Sequence, residues 1–260
     1  MTGIRPRARQ PRNNADRVAS ITMTDMSKTI GTIRALAIRP ARTTPPLRVD
    51  AAHALAGLGL GGDVHADGRS PRQVLLAGTR VYDDYALPAH ALRENILVDV
   101  DTATLASGTV LQLGQDVLLR LMFQCESCGQ LDAQRPGLSR VLAGRRGMLA
   151  RVLAGGTIRP GDRIRDLGQT LPRWSDDWRE RVQHILDALP AQAVVEYGVL
   201  ARLAGLQPTY CRAFPGMLAK WGPAYAARAV PMRSPLPGVR WEGDGLFDDA
   251  AGVYGASCSA

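Results

Sequence analysis

The chain has 260 residues, 45% of them hydrophobic, and a formal net charge of +8. That length holds one large domain or two modest ones, and no apolar run reaches the ~20 residues that a membrane span needs. Lys28 and Lys220 are the only lysines, so the positive charge is arginine. Schiff-base chemistry is left almost without candidates, and phosphate-bearing partners are favoured, although GC-rich codon usage would produce the same composition.

Four cysteines do not make a disulfide framework in a chain of this size, and a reducing cytoplasm is the expected compartment. The first twenty residues are rich in Arg, Pro and Asn and carry no apolar core, so no secretory signal is read there. Residues 1–29 are expected to be a disordered basic tail.

Order is expected to begin with a short β-like run at 30–38, stopped by Pro40. Residues 47–55 follow a Pro45-Pro46 break, and a glycine-rich loop carries Asp63 and His65, the latter a candidate ligand or acid–base group or simply a solvated loop residue. A strand is expected over 73–77. Polar Arg93, Glu94 and Asn95 enter a β-branched run over 91–100, as at the lip of a pocket. Residues 109–113 and 116–122 surround Gly114-Gln115 in the manner of a β-hairpin. Partly strand-like 141–153 and a closing strand over 157–165 complete a pattern of short, Gly-punctuated strands. This predicts a β-barrel with a few helices over 30–167.

The densest chemistry lies between Phe123 and Asp162. Cys125 and Cys128 form a Cys-x-x-Cys, and thiolates suit metal ligation, persulfide carriage or disulfide exchange. Arg145, Arg146 and Arg151 follow closely, with guanidinium groups matched to phosphate and carboxylate. Gly144, Gly147, Gly155 and Gly156 permit close backbone approach to a ligand. Thiol, fixed positive charge and accessible backbone together suit an anionic cofactor with a sulfur-loving atom.

Residues 168–177 read as a linker. Beyond them, Trp178, Val182, Ile185, Leu186 and Leu189 fall on one helical face. A second short helix is expected over 197–204, ending at Gly205, and a third over 210–221. Helix, Gly-containing turn and helix make a helix-turn-helix pattern, common both in DNA-binding proteins and elsewhere.

Residues 30–166 resemble the MOSC domain, found at the C-terminus of molybdenum-cofactor sulfurases and in standalone bacterial proteins. The resemblance is carried by Gly-Asp at Asp63, Arg72-Gln73-Val, Arg93-x-Asn95-Ile, the Cys128 region, and GRRGMLARVLAGGTIRPGD. It implies a barrel-like α+β fold with peripheral helices that binds the molybdenum cofactor or carries sulfur on a cysteine. Cys128 would be the chemical thiol and metal ligand, with Cys125 an additional upstream thiol. Arg72, Gln73, Arg93, Asn95, Arg145, Arg146 and Arg151 would be cofactor-binding. Covalently held pyridoxal phosphate is not expected, because Lys28 is assigned to the tail and Lys220 to the second part, leaving the expected barrel, 30–167, without a lysine.

Residues 178–250 resemble the helical DNA-binding domain of methylguanine-DNA methyltransferases and alkyltransferase-like proteins, through ALPAQAVVEYGVLARLAGL and the Arg212-Ala213 pair. The resemblance implies DNA contacts at Tyr197 and base extrusion by Arg212. The acceptor Pro-Cys-His-Arg is replaced by Pro231-Met232-Arg233, so alkyl transfer is not expected. Residues 251–260 read as a tail. The leading expectation is therefore a molybdenum-cofactor or sulfur-carrier protein, an oxidoreductase or sulfurtransferase acting on a small molecule or nucleobase. A non-enzymatic DNA-damage sensor with a structural barrel is the alternative, and a fusion of two interaction scaffolds the third.

Overall fold

The computed structural model describes residues 28–127, 129–235 and 238–248. Most of the expected tails at 1–29 and 251–260, and Cys128 itself, lie outside them.

The elements run β1 (Lys28–Ile38), β2 (Leu47–Val49), β3 (Ala52–Leu55), β4 (Gly59–Leu60), β5 (Val74–Gly78), α1 (Thr79–Tyr85), β6 (Ile96–Val98), β7 (Thr109–Leu113), β8 (Val117–Gln124), α2 (Gly129–Asp132), α3 (Leu138–Val141), β9 (Met148–Ala154), β10 (Gly156–Ile158) and β11 (Arg163–Gln169). Seven of these strands close a barrel in the order β1, β6, β5, β9, β8, β7, β11 and back to β1, with β2 added outside β1. Closure removes the open edges that a flat sheet would expose. Every neighbouring pair in the ring is antiparallel except β5–β6. A parallel pair needs a crossover, here α1 and the turn that carries Arg93. The chain enters the barrel at Lys28 and Thr29, which pair with Asp166 and Arg165 of β11. The expected tail boundary is thus two residues late, and Lys28, expected in the tail, belongs to the barrel.

Alternation explains why these residues make a barrel. Val74 and Leu76 of β5 and Met148, Ala150 and Val152 of β9 belong to the interior cluster, while Leu75 and Leu149 point outward into a second one. The hairpin of β7 and β8 turns at Gly114, whose φ of 62° suits glycine. Near the end of β8 the register with β9 shifts between Leu121 and Gln124. Such a bulge re-aims side chains, and both Met122 and Phe123 lie in the outer cluster.

Beyond the barrel come α4 (Trp178–Asp187), β12 (Ala193–Glu196), α5 (Tyr197–Leu203), α6 (Phe214–Trp221), α7 (Pro223–Ala226), β13 (Ala229–Val230) and β14 (Val239–Arg240). The part expected to be a small helical domain also contains a small parallel sheet with β12 between β13 and β14. The helix expected over 210–221 is split into a 3-10 turn, Pro208–Arg212, and α6. Pro215 lies in the first turn of α6, and a proline ring cannot follow a preceding helical turn without losing a hydrogen bond and clashing.

One hydrophobic cluster joins the two parts of the chain. Leu75, Phe123 and Leu149 of the barrel pack with Val182, Leu203 and Phe214 of the C-terminal segment. The stretch 168–177, expected as a linker, runs along the barrel: Leu171 N–H donates to the Gly108 carbonyl at 3.2 Å, and Trp174 is buried. Arg181 seals the seam. It is wholly buried, 3.8 Å over the Phe123 ring, and donates to the carbonyls of Ala204, Ser175 and Asp176 and to Glu126 Oε1. Among the described residues no helix is long and apolar enough to cross a membrane.

Candidate functional site

A cleft of about 700 Å³ opens between the barrel and the C-terminal segment. Its barrel wall carries Arg39, Arg42, Arg72, Arg93 and Arg146, with Cys125 at its base. The opposite wall comes from α5 and the following loop: Gly198, Ala201, Arg202, Gly205, Leu206 and Pro208.

Each basic group is held differently. Arg72 Nη1 donates to the Gly205 carbonyl at 3.1 Å, and its Nη2 lies 3.5 Å from Cys125 Sγ. Arg146 Nη1 donates to the Glu126 carbonyl at 2.7 Å. Arg93 sits in left-handed backbone at φ 59° and reaches Gln130 Oε1 at 3.3 Å. Arg42 is exposed at the mouth. Arg39 is buried; burial, then the like charges of Arg93, Arg42 and Arg146, hold its guanidinium below the usual range, against the opposing pull of Asp63. Such mutual repulsion is relieved by an anion between the guanidinium groups.

Behind this wall Asp63 is a hub whose side chain has no exposure to solvent. Its Oδ2 accepts from the Arg39 main-chain N–H at 2.8 Å and from Asn95 Nδ2 at 2.9 Å. Oδ1 accepts from the His65 main-chain N–H at 2.8 Å and lies 2.9 Å from His65 Nδ1. Burial opposes ionisation of this carboxyl, but hydrogen bonds from His65 and Arg39 outweigh it and hold it below the usual carboxylate range. On the other side of its ring, His65 Nε2 lies 2.9 Å from Arg39 Nη2.

Of the residues expected to bind cofactor, the cleft collects Arg72, Arg93, Asn95 and Arg146. The Asn95 amide is already engaged, accepting from Leu75 N–H and donating to Ala37 O and Asp63. Gln73, Arg145 and Arg151 are not among the lining residues. Gln73 is fully buried, donating to Gly57 O and Asp67 O and accepting from Val152 N–H. Arg145 pairs with Asp84 of α1 at 2.6 Å. Arg151 holds the carbonyls of Gly68 and Ser70 and stacks over Phe247, supporting the loop that carries His65 and Arg72 from behind. Alternation along β9 puts Arg151 on the same outer face as Leu149, which does line the cleft, but one pleat further along the strand.

Cys125 is 2% exposed, and its N–H donates to Gly147 O at 2.7 Å. Gly147 has φ 135°, and a Cβ there would lie 2.2 Å from Leu76 O, so only glycine brings β9 this close to β5. Cys128 lies outside the described residues; Cys125 and Gln130 on either side of it both line the cleft. Among the described residues no group of three or more His, Cys, Asp or Glu is arranged to hold a metal ion.

Tyr197 and Arg212, expected to contact DNA, are not among the cleft's lining residues. Tyr197 is half-buried at the start of α5, edge-on to Phe214 with ring centres 5.7 Å apart, and burial pushes its hydroxyl up. Arg212 is exposed at the end of the 3-10 turn.

Three cleft arginines were missed in the sequence. Arg39 and Arg42 flank Pro40, which reads only as a strand stop. Arg202 lies on the polar side of a short helix and forms a paired contact to Asp67, 2.5 and 2.6 Å. Asp-x-His at 63–65 was a visible signal for the hub, since an Asp side chain commonly accepts from the main chain two residues on.

Residues 70–165 match the family model of the MOSC domain. The match runs from just before β5 into β11 and does not reach the C-terminal segment, whose likeness to alkyltransferase DNA-binding domains rests on its sequence pattern alone. No curated protein matches the chain. Among solved structures, YuaD of Bacillus subtilis is 19% identical, covering 54% of this chain and 96% of that one with a TM-score of 0.46. YiiM of Escherichia coli is 17% identical, covering 73% and 94% with a TM-score of 0.45. YiiM of Geobacillus stearothermophilus is 14% identical, covering 74% and 99% with a TM-score of 0.43.

Proposed function

We propose that this chain binds the molybdenum cofactor, or carries sulfur on a cysteine, in the cleft between its barrel and its C-terminal segment. The observation that carries the reading is the convergence of Arg39, Arg42, Arg72, Arg93 and Arg146 on one cleft with a thiol at its base. The match of 70–165 to the MOSC domain, a family associated with that cofactor, supports it.

The donor set fits the group. Guanidiniums suit the phosphate of a pterin cofactor, and a thiolate is the soft ligand that a molybdenum centre or a persulfide requires. Arg39, Arg72, Arg93 and Arg146 would hold the anionic part, and Cys128 would be the reactive thiol, with Cys125 beside Arg72 in a supporting role. When bound, the cofactor supplies a redox-active metal centre. The chain's own residues bind and orient it, and Gly198, Ala201 and Leu206 form the wall against which a small substrate or nucleobase would lie.

The test is the molybdenum and sulfane-sulfur content of the purified protein, with Cys128→Ser and Cys125→Ser beside it. Near-stoichiometric molybdenum or persulfide is expected in the parent, lost in Cys128→Ser and reduced in Cys125→Ser. Absence of both from the parent would remove the reading. Equal retention in the two variants would remove the assignment of Cys128.

The DNA-sensor alternative is supported by the exposure of Arg212 ahead of α6. It requires duplex binding that weakens steeply with salt, with a log-log slope of about −0.9 per phosphate neutralised, and that loses its preference for modified bases in Arg212→Ala.

A further inference from the structure

The loop between β4 and β5 carries a histidine with both ring nitrogens occupied, one by an anion and one by a cation. His65 is one-third exposed and lines the cleft. On one side stands Asp63, buried and held as a carboxylate. A carboxylate accepts, so Nδ1 carries the hydrogen on that side. On the other side Arg39 Nη2 can only donate, which makes Nε2 the acceptor. The two contacts thereby fit one tautomer of His65, with Nδ1–H toward Asp63 and a bare Nε2 toward Arg39.

The two contacts differ in permanence. Asp63 is anchored by four hydrogen bonds from three residues, Arg39, His65 and Asn95. Among the described residues the side chain that the Arg39 guanidinium hydrogen-bonds is His65, through Nε2, and like charges from Arg93, Arg42 and Arg146 press on it. A charged oxygen in the cleft is a stronger partner for a guanidinium than a neutral imidazole nitrogen.

We propose that His65 is an acid–base group of the cleft, locked while Arg39 occupies its Nε2 and released when a bound phosphate or other oxyanion draws Arg39 away. Once released, Nε2 takes a proton from water, while Nδ1–H stays on Asp63, which orients the ring and stabilises the imidazolium. That proton can then pass to an acceptor atom of the ligand. Binding and proton supply are thereby coupled, so an empty cleft offers no acid. The inference deepens the cofactor reading and rests on the cleft being an anion site.

The other charged groups around the cleft are Arg42 beyond β1, Asp67 on the same loop, Arg72 before β5, Arg93 before β6, Arg146 before β9 and Arg202 on α5. Asp67 is engaged by Arg202, leaving a positive surround. That surround opposes the imidazolium until an anion neutralises it.

The experiment is nitrogen-15 NMR of imidazole-labelled protein at pH 7, with the His65 signals assigned from His65→Gln and inorganic phosphate as the probe. Calorimetry on the same samples measures phosphate binding. Saturating phosphate should raise the imidazolium-to-imidazole ratio of His65 several-fold. Arg39→Met without any anion should raise it similarly, and phosphate should then add little. Asp63→Asn should lower it, provided its spectrum shows an intact fold. An unchanged ratio in Arg39→Met, or an unchanged ratio in the parent while calorimetry shows phosphate bound, would overturn the inference. Absence of phosphate binding would remove the anion-site reading beneath it as well. The Arg39→Met arm without anion separates the two failures.

Discussion

The two walls of the cleft are built on opposite principles. The barrel wall presents five arginines and a thiol on strand ends and rim turns, where Arg72 and Arg146 hold main-chain carbonyls, Arg93 reaches Gln130 and Arg39 meets His65. The C-terminal wall is small and nearly uncharged, and its one cation, Arg202, is neutralised by Asp67. The first wall is made to hold charge and the second to set shape. The contrast teaches that, on the proposed reading, affinity for an anion and selectivity for what it is attached to reside in different parts of the chain, and so can be altered separately.

The largest effect is expected where the walls are joined. Arg181→Ala removes a buried cation and leaves the carbonyls of Ala204, Ser175 and Asp176 without their donor. It should cost about 3 kcal/mol in denaturant unfolding and weaken anion binding by letting the walls part. A variant that kept both stability and binding would show that the seam does not hold the cleft together. Gly205 is a second point on this seam: with φ 69°, its added Cβ would lie 2.8 Å from Phe123 Cζ and 3.0 Å from Pro71 Cγ.

Next comes the hub behind the charged wall. Asp63→Ala should cost about 2 kcal/mol at neutral pH by leaving buried donors unpaired. Because the folded carboxyl titrates below its unfolded value, its contribution is present above about pH 4. It is lost as pH falls through the folded value. Acid unfolding of the parent should therefore be steeper than that of Asp63→Asn, and superimposable profiles would refute this.

The comparison itself is sharpened by altering one wall at a time. Arg93→Gln should weaken phosphate binding about tenfold, the loss of one charge-assisted hydrogen bond, without discriminating between large and small anions. Gly198→Leu should do the reverse. A Cβ there meets nothing within 4 Å, so the side chain has room to start, and the expected outcome is that inorganic phosphate still binds while a nucleoside monophosphate is excluded. Calorimetry with both ligands separates the outcomes. If Gly198→Leu weakened both ligands equally, the division of labour would be wrong. The smallest effect is expected for Arg202→Gln, whose partly exposed ion pair contributes at most about 1 kcal/mol and should barely change phosphate affinity.

The β7–β8 hairpin and the apolar face of α4 were legible because their signals are local: a glycine turn between alternating runs, and a helical repeat. The sheet around β12 was not legible. Its four residues pair with two short stretches some thirty-five and forty-five residues on, and no local pattern announces a parallel pairing of that kind. The break of the third helix at Pro215 was present in the sequence but outweighed by the apolar residues on either side.

For the cleft, the sequence alone determined the chemical inventory: an arginine-rich chain, a pair of cysteines, an Asp-x-His, and the ordered motifs that resemble the MOSC domain. Which of those groups face one another was decided only by the tertiary structure. Arg146 and Arg151 lie in the same glycine-rich run, yet one lines the cleft from the turn before β9 and the other, within the strand, braces the Gly68–Ser70 loop. Arg39, by contrast, stands more than fifty residues from Arg93 and over one hundred from Arg146. It joins them because barrel closure brings strand ends and rim turns to one mouth, where their like charges repel one another.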